Sequence, residues 1–194
     1  MNGVFFLFLI YSAFTMNLLL QCALGINGVA DSRIPFNKFT IVKTGLIFLS
    51  IILLWFLFSR ILYSVSSGFF IYVLLFPVSV IVYNGLEYHI FRYILKTDTQ
   101  SESVVSFPGG ITAVALFICI NISDKFFDTV VLSFGFTSGI LLINFIIWEI
   151  RKRASLEAVP VFLRGKPLVL IAMGIISLVF STASILLFRM IGAG

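Results

Sequence analysis

Apolar residues fall into six long runs, at roughly 4–26, 42–63, 69–90, 107–123, 129–149 and 167–190, with short polar stretches between them. An α-helix needs about 20 apolar residues to cross the hydrocarbon core of a bilayer. The pattern therefore predicts an all-α, polytopic membrane protein: six transmembrane helices in one integral membrane domain, 1–194. The longest connectors, 27–41, 91–106 and 150–166, are too short to hold a domain of their own. Two runs are irregular. The fourth is the shortest and opens on Pro108, Gly109 and Gly110. The first ends LLLQCALGINGVADSR (18–33), where hydrocarbon gives way to Cys22, Gly25, Asn27 and Gly28 before any charge appears. The third run carries Pro77 in its interior, which frees a backbone carbonyl and tends to kink a helix.

Composition sharpens this picture. The chain is 60% hydrophobic and 11% charged, with a mean hydropathy of +1.16. A soluble domain carries about 25% charged residues, so a water-soluble globule is excluded. The net charge of +5 does not imply nucleic-acid binding, because no soluble portion exists to carry a basic surface. It encodes orientation instead. Arg33, Lys38 and Lys43 belong to the first connector and its helix boundary, Arg92 and Lys96 to the third, and Arg151, Lys152, Arg153, Arg164 and Lys166 to the fifth. Arg60, Lys125 and Arg189 are on the other side. The positive-inside rule then places the first, third and fifth connectors in the cytoplasm and both termini outside. No Lys or Arg precedes Arg33, so the opening run lacks the basic flank of a signal peptide and is read as a mature span.

Six spans divide into halves of three, approximately 1–95 and 105–194, and an odd number per half gives an inverted repeat. Span one ends GINGVADSR and span four ends CINISDK, a faint internal echo. Glycine permits backbone breaks, and breaks at membrane depth are tolerated only where protein or a cavity covers them. Gly25 and Gly28 in span one, and Pro108, Gly109 and Gly110 in span four, therefore mark these two as short or broken helices meeting at a shared centre. Gly135 and Gly139 form a GxxxG in span five, a helix-contact signal.

Polar residues inside the runs are Asn17, Gln21 and Asn27, then Asn84, Glu87, His89 and Arg92, then Thr112, Asn121, Asn144 and Glu149. Most read as interhelical hydrogen-bond formers. Glu87 is costlier, and an interfacial ion pair with His89 and Arg92 nearby accounts for it, with an ion-pathway role as the rival. Cys22 and Cys119, without a CxxC, read as buried small hydrophobes or as ligands of a soft metal or iron–sulfur cluster completed by another subunit. No pair of carboxylates, His cluster or activated nucleophile suggests a membrane enzyme.

Residues 126–180 resemble the RnfA/RnfE and NqrD/NqrE family, the paired membrane subunits of Rnf and sodium-translocating NADH:quinone oxidoreductase complexes. The matching features are Phe134-Gly135 and Gly139, Ile150-Arg151-x-Arg153, Val159-Pro160, Phe162-x-Arg164-Gly165, and the small face Ala172, Gly174 and Ser177. Asn17-x-x-Leu20 and Leu24-Gly25 are similar to the family's opening motif. The chain is most like the RnfA/NqrE side. The resemblance implies an inverted three-plus-three repeat in the bacterial or archaeal cytoplasmic (inner) membrane. It also implies a homologous membrane partner of opposite orientation, further redox subunits, and one 2Fe–2S cluster shared between the homologous pair. The chain itself would be a non-catalytic or electron-transfer subunit of an Na⁺- or H⁺-translocating complex, with Arg164 and Gly165 structural and Glu157 a contact for Arg164. Both of the family's cluster-ligand positions depart from the pattern: Asn27 and Thr112 stand where cysteines are expected. Either Cys22 and Cys119 are relocated ligands, or this chain alone binds no cluster, or it is a structural or ion-conducting relative. A small inverted-repeat transporter without a redox role is the alternative to the redox complex.

Overall fold

The computed structural model describes residues 8–22, 38–64, 68–96, 107–123, 125–156, 160, 163 and 165–192, and all of the regular structure among them is helical. A short π-wound element, α1, covers Tyr11–Thr15. The long helix α2 covers Lys38–Ser64. The next, α3, covers Gly68–His89 with Pro77 inside it and runs on as a π turn over Ile90–Leu95, stopped by Lys96 in the left-handed region (φ 50°). The short helix α4 covers Pro108–Ile122, α5 covers Phe126–Leu156 and α6 covers Lys166–Gly192.

Four of these, α2, α3, α5 and α6, are long and apolar enough to cross a membrane. The protein is a polytopic α-helical membrane protein. With 15 residues, α4 spans about 22 Å at roughly 1.5 Å per residue, short of the ~30 Å hydrocarbon core. Its start is defined by Phe107 in the left-handed region (φ 54°), followed by Pro108, whose missing N–H costs nothing in a first turn. Gly109 and Gly110 lie inside that first turn. A Cβ at Gly109 would be 3.1 Å from the Cα of Val80, so this glycine lets α4 lie against the backbone of α3.

The helices alternate in direction. Phe48 faces Phe134 and Trp55 faces Phe126, so α2 and α5 are antiparallel. Phe39 stacks on Phe91 at the start of α2 and the end of α3. Ser123 meets Thr129 and Cys119 meets Ser133, making α4 and α5 an antiparallel hairpin. As a result Lys38, Lys43, Arg92, Lys96, Arg151, Lys152, Arg153 and Lys166 gather at one end of the bundle, called here the basic end.

The centre is the α2–α5 pair, and α3 and α6 flank it. In the spanning window of α5, 61% is buried, and 50% in that of α2, against 17% for each of α3 and α6. The core joins Leu46, Ile47, Ile51 and Leu54 of α2 to Ile111 and Leu116 of α4 and Leu132, Phe136 and Ile140 of α5. Inside a bilayer such a core is held by close packing and hydrogen bonds, because lipid tails are as apolar as leucine.

The two elements α1 and α4 rest on different long helices. α1 packs on α5 and α6, and α4 packs on α2 and α3, with a lighter contact to α5. Gly25 and Gly28, where the first segment is expected to break and meet the fourth, lie outside the described residues. Within its described residues, 8–22, the first run is interrupted as a helix. Winding stops at Thr15, and Met16–Cys22 form a turn.

Candidate functional site: a buried ion pair at the basic end

The antiparallel pairing of α2 with α3 brings the first turns of one beside the last turn of the other. There Lys43 Nζ lies 3.0 Å from Glu87 Oε1, with the two side chains only 11% and 14% exposed. Lys43 Nζ also stands 5.8 Å from the centre of the Phe91 ring, which is fully buried. Two charges in an apolar bundle are tolerated because each neutralises the other, and removing one partner strands the second.

Glu87 was expected to pair near the interface with His89 and Arg92. Both side chains are instead exposed and engaged elsewhere. His89 stacks on Tyr93 at 5.8 Å, and Arg92 lies over the Tyr88 ring and donates to its hydroxyl. Helical geometry explains the difference: Glu87 is on the inward face of α3 with Tyr83, whereas Tyr88, His89 and Arg92 turn outward. Sequence reasoning missed Lys43 as the partner. Its signal was a lysine placed just inside a hydrophobic run, at the same end as the carboxylate of the next run. Glu149, by contrast, pairs with Arg153 at 3.3 Å on the surface, at 36% and 74% exposure, an exchange worth little.

Four buried side-chain polar atoms among the described residues have no hydrogen bond. The Tyr83 hydroxyl and Thr40 Oγ1 have no partner, and both residues are fully buried. The Tyr83 phenol lies close to the Glu87 carboxylate without a hydrogen bond of normal geometry. On α5, Asn144 is 3% exposed, and neither its Oδ1 nor its Nδ2 has a partner. Such groups are rare, because burying an unpaired polar atom costs about 1–3 kcal/mol.

The residues implicated in cluster binding lie elsewhere. Thr112 is buried, donates to the Pro108 carbonyl at 2.9 Å and sits 3.4 Å from Ser50 Oγ, so its hydroxyl is already used. Cys119 is fully buried with its Sγ 3.8 Å from Ser133 Oγ, whereas Cys22 is exposed. Among the described residues, no group of three or more His, Cys, Asp and Glu side chains could hold a metal. A satisfied threonine and two thiols in such different surroundings do not fit a standard iron–sulfur site. Gly165, in the left-handed region (φ 85°), directly precedes α6. Gly25, Asn27, Gly28, Glu157 and Arg164 lie outside the described residues.

The GxxxG signal is realised as a contact. A Cβ at Gly139 would be 2.6 Å from the Ala13 carbonyl oxygen, and one at Gly135 would run into Ser12 Oγ, so both glycines form the seat of α1. Asn17 closes the end of that element. Its Nδ2 donates to the Ala13 carbonyl at 2.9 Å, and its Oδ1 accepts from the N–H groups of Leu19 (3.2 Å) and Leu20 (3.3 Å). No family model and no curated protein matches the chain.

Proposed function

We propose that this chain is a membrane subunit of an ion-translocating, RnfA/NqrE-like electron-transport complex, and that it holds no iron–sulfur cluster of its own. The observation that carries the ion-coupling part is the Lys43–Glu87 pair, buried where α2 meets α3 with the Tyr83 phenol beside the carboxylate. An ionisable pair within a bilayer-spanning bundle is expensive, and such residues mark ion or proton pathways more often than they stabilise a fold. Support for the complex comes from the motif resemblance in α5, α6 and their connector. A further support is the packing of α1 on α5 and α6 and of α4 on α2 and α3, which an inverted three-plus-three repeat accommodates. The cluster-free reading rests on Thr112, whose hydroxyl is satisfied within the fold, and on the unlike surroundings of Cys22 and Cys119.

In this reading the chain scaffolds neighbouring redox subunits and couples their turnover to movement of Na⁺ or H⁺ past Glu87. A homologous membrane subunit of opposite orientation is the expected neighbour. The test is isolation of a tagged chain from its native membrane. Co-purifying redox subunits, and donor-driven ion uptake into vesicles that Glu87→Gln combined with Lys43→Met abolishes with assembly intact, are the expected results. A chain that purifies alone and transports in liposomes without an electron donor would instead be the small inverted-repeat transporter.

A further inference from the structure

Asparagines within the described residues differ in what surrounds them. Asn17 and Asn144 are buried in the bundle. Asn121 is exposed at the end of α4, but its Nδ2 donates to the Phe117 carbonyl at 2.7 Å and its Oδ1 accepts from the Tyr72 hydroxyl at 3.4 Å. Asn84 on α3 is exposed and makes no hydrogen bond among the described residues. It is also deep. The spanning segment of α3, Tyr72–Tyr93, has its middle between Val82 and Tyr83, so Asn84 lies about 3 Å from that middle at roughly 1.5 Å per residue. At that depth no water reaches a lipid-facing amide, and a polar side chain there normally faces another helix. Ile81 and Tyr88, three residues before Asn84 and four after it, share its face at 69% and 43% exposure. Gly85 adjoins them, with no atom within 4 Å of the place a Cβ would take, so it seats nothing of this chain. An unmet amide beside an open glycine is the composition of a helix contact within a membrane.

We propose that the Ile81–Asn84–Tyr88 face of α3 docks on the same face of a second copy of this chain, with the two Asn84 side chains hydrogen-bonded to each other across a twofold axis. A carboxamide is self-complementary: it carries two N–H donors and a carbonyl acceptor, so each Nδ2 can donate to the other Oδ1. Copies of one chain share one orientation in the membrane. The axis that relates them therefore runs along the membrane normal, and Asn84 meets its counterpart at its own depth. A single asparagine in an apolar seam fixes the register and number of helices in coiled coils. Lipid tails can cover Ile81, but they offer nothing to an amide. Docking of two copies requires neither a redox role nor ion movement, and its test reads no turnover.

The test uses the full chain in its native membrane, with Cys22→Ser and Cys119→Ala to clear the background. A thiol is introduced by Ile81→Cys, with Leu178→Cys on α6, also at 69% exposure, as the control on another bare face. Copper phenanthroline with dissolved oxygen oxidises facing thiols to a disulfide, and the product is read as a band of twice the chain's mass. Ile81→Cys is expected to cross-link at least tenfold faster than Leu178→Cys. Adding Asn84→Leu should slow that cross-linking roughly tenfold, and adding Asn84→Gln, which keeps an amide, should largely preserve it. Asn84 bonds nothing within its own chain among the described residues, so the leucine variant should elute normally on size exclusion. Where Ile81→Cys does not accumulate, Tyr88→Cys on the same face gives the same comparison. Cross-linking no faster than the control, or unchanged by Asn84→Leu, would overturn the docking surface. A cross-link to a protein of different mass would overturn the second copy as its occupant.

Discussion

The two short elements of the bundle make an instructive pair. α1 is seated by shape. Gly135 and Gly139 let its backbone touch α5, and its polar groups are satisfied locally, Ser12 by the Phe8 carbonyl and Asn17 by the turn that it closes. Among the described residues, nothing at that seat lacks a hydrogen-bond partner. α4 is seated partly by polar contact, through Thr112 with Ser50 and Cys119 with Ser133, and beyond its first turn lie a buried ion pair and unpaired polar atoms. The two seats have therefore been put to different uses: one is a packing joint, and the other borders a buried ion pair. Interiors that satisfy every polar group specify a fold, and those that leave some unmet point to function.

Four sets of substitutions test this contrast. The largest effect is expected at the packing joint. Gly139→Leu drives a side chain into the α1 backbone and should cost about 3 kcal/mol or more, seen as loss of folded protein on size exclusion. Gly174→Leu, at a position with open space around it, should change little. If both variants fold equally well, α1 is not seated as described. Next comes the ion pair. Lys43→Met alone should destabilise by about 3 kcal/mol, because it strands the Glu87 carboxylate, and Lys43→Met combined with Glu87→Leu should recover most of the loss. Thermal midpoints of the single and double variants give that comparison directly. Asn17→Leu removes three hydrogen bonds at the end of α1 and should cost about 2 kcal/mol, with near-normal assembly on size exclusion. The smallest change is expected for Thr112→Val, at about 1 kcal/mol or less, since only a hydroxyl bonded within its own helix is lost. Unchanged iron content in complexes carrying Thr112→Val would agree with a chain that ligates no cluster there.

Much of the fold was legible in the sequence. Runs of about 20 apolar residues have one solution in a bilayer, and α2, α3, α5 and α6 follow from hydropathy alone. The shortness of the fourth span was visible in Pro108-Gly109-Gly110, and the role of Gly135 and Gly139 in their spacing. The seats of α1 and α4 were not legible. Hydropathy gives the number and length of spans, whereas which helix a short element lies on depends on side-chain shape across long sequence separations. The same limit hid the partner of Glu87. Its neighbours along the chain, His89 and Arg92, pointed to a local pair, but the inward face of α3 is set by the 3.6-residue turn, and Lys43 comes from another helix. Asn144 stood out as polar, but its lack of a hydrogen bond is a property of packing that no linear reading supplies.

One measurement bears most directly on whether the ion pair is functional or merely structural. Lys43→Glu combined with Glu87→Lys keeps opposite charges facing each other and moves the carboxylate from α3 to α2. Folding stability should return close to that of the unaltered chain, while donor-driven ion uptake into vesicles stays lost. Recovery of uptake together with stability would show that the pair only holds the helices together, and would contradict a coupling role for Glu87.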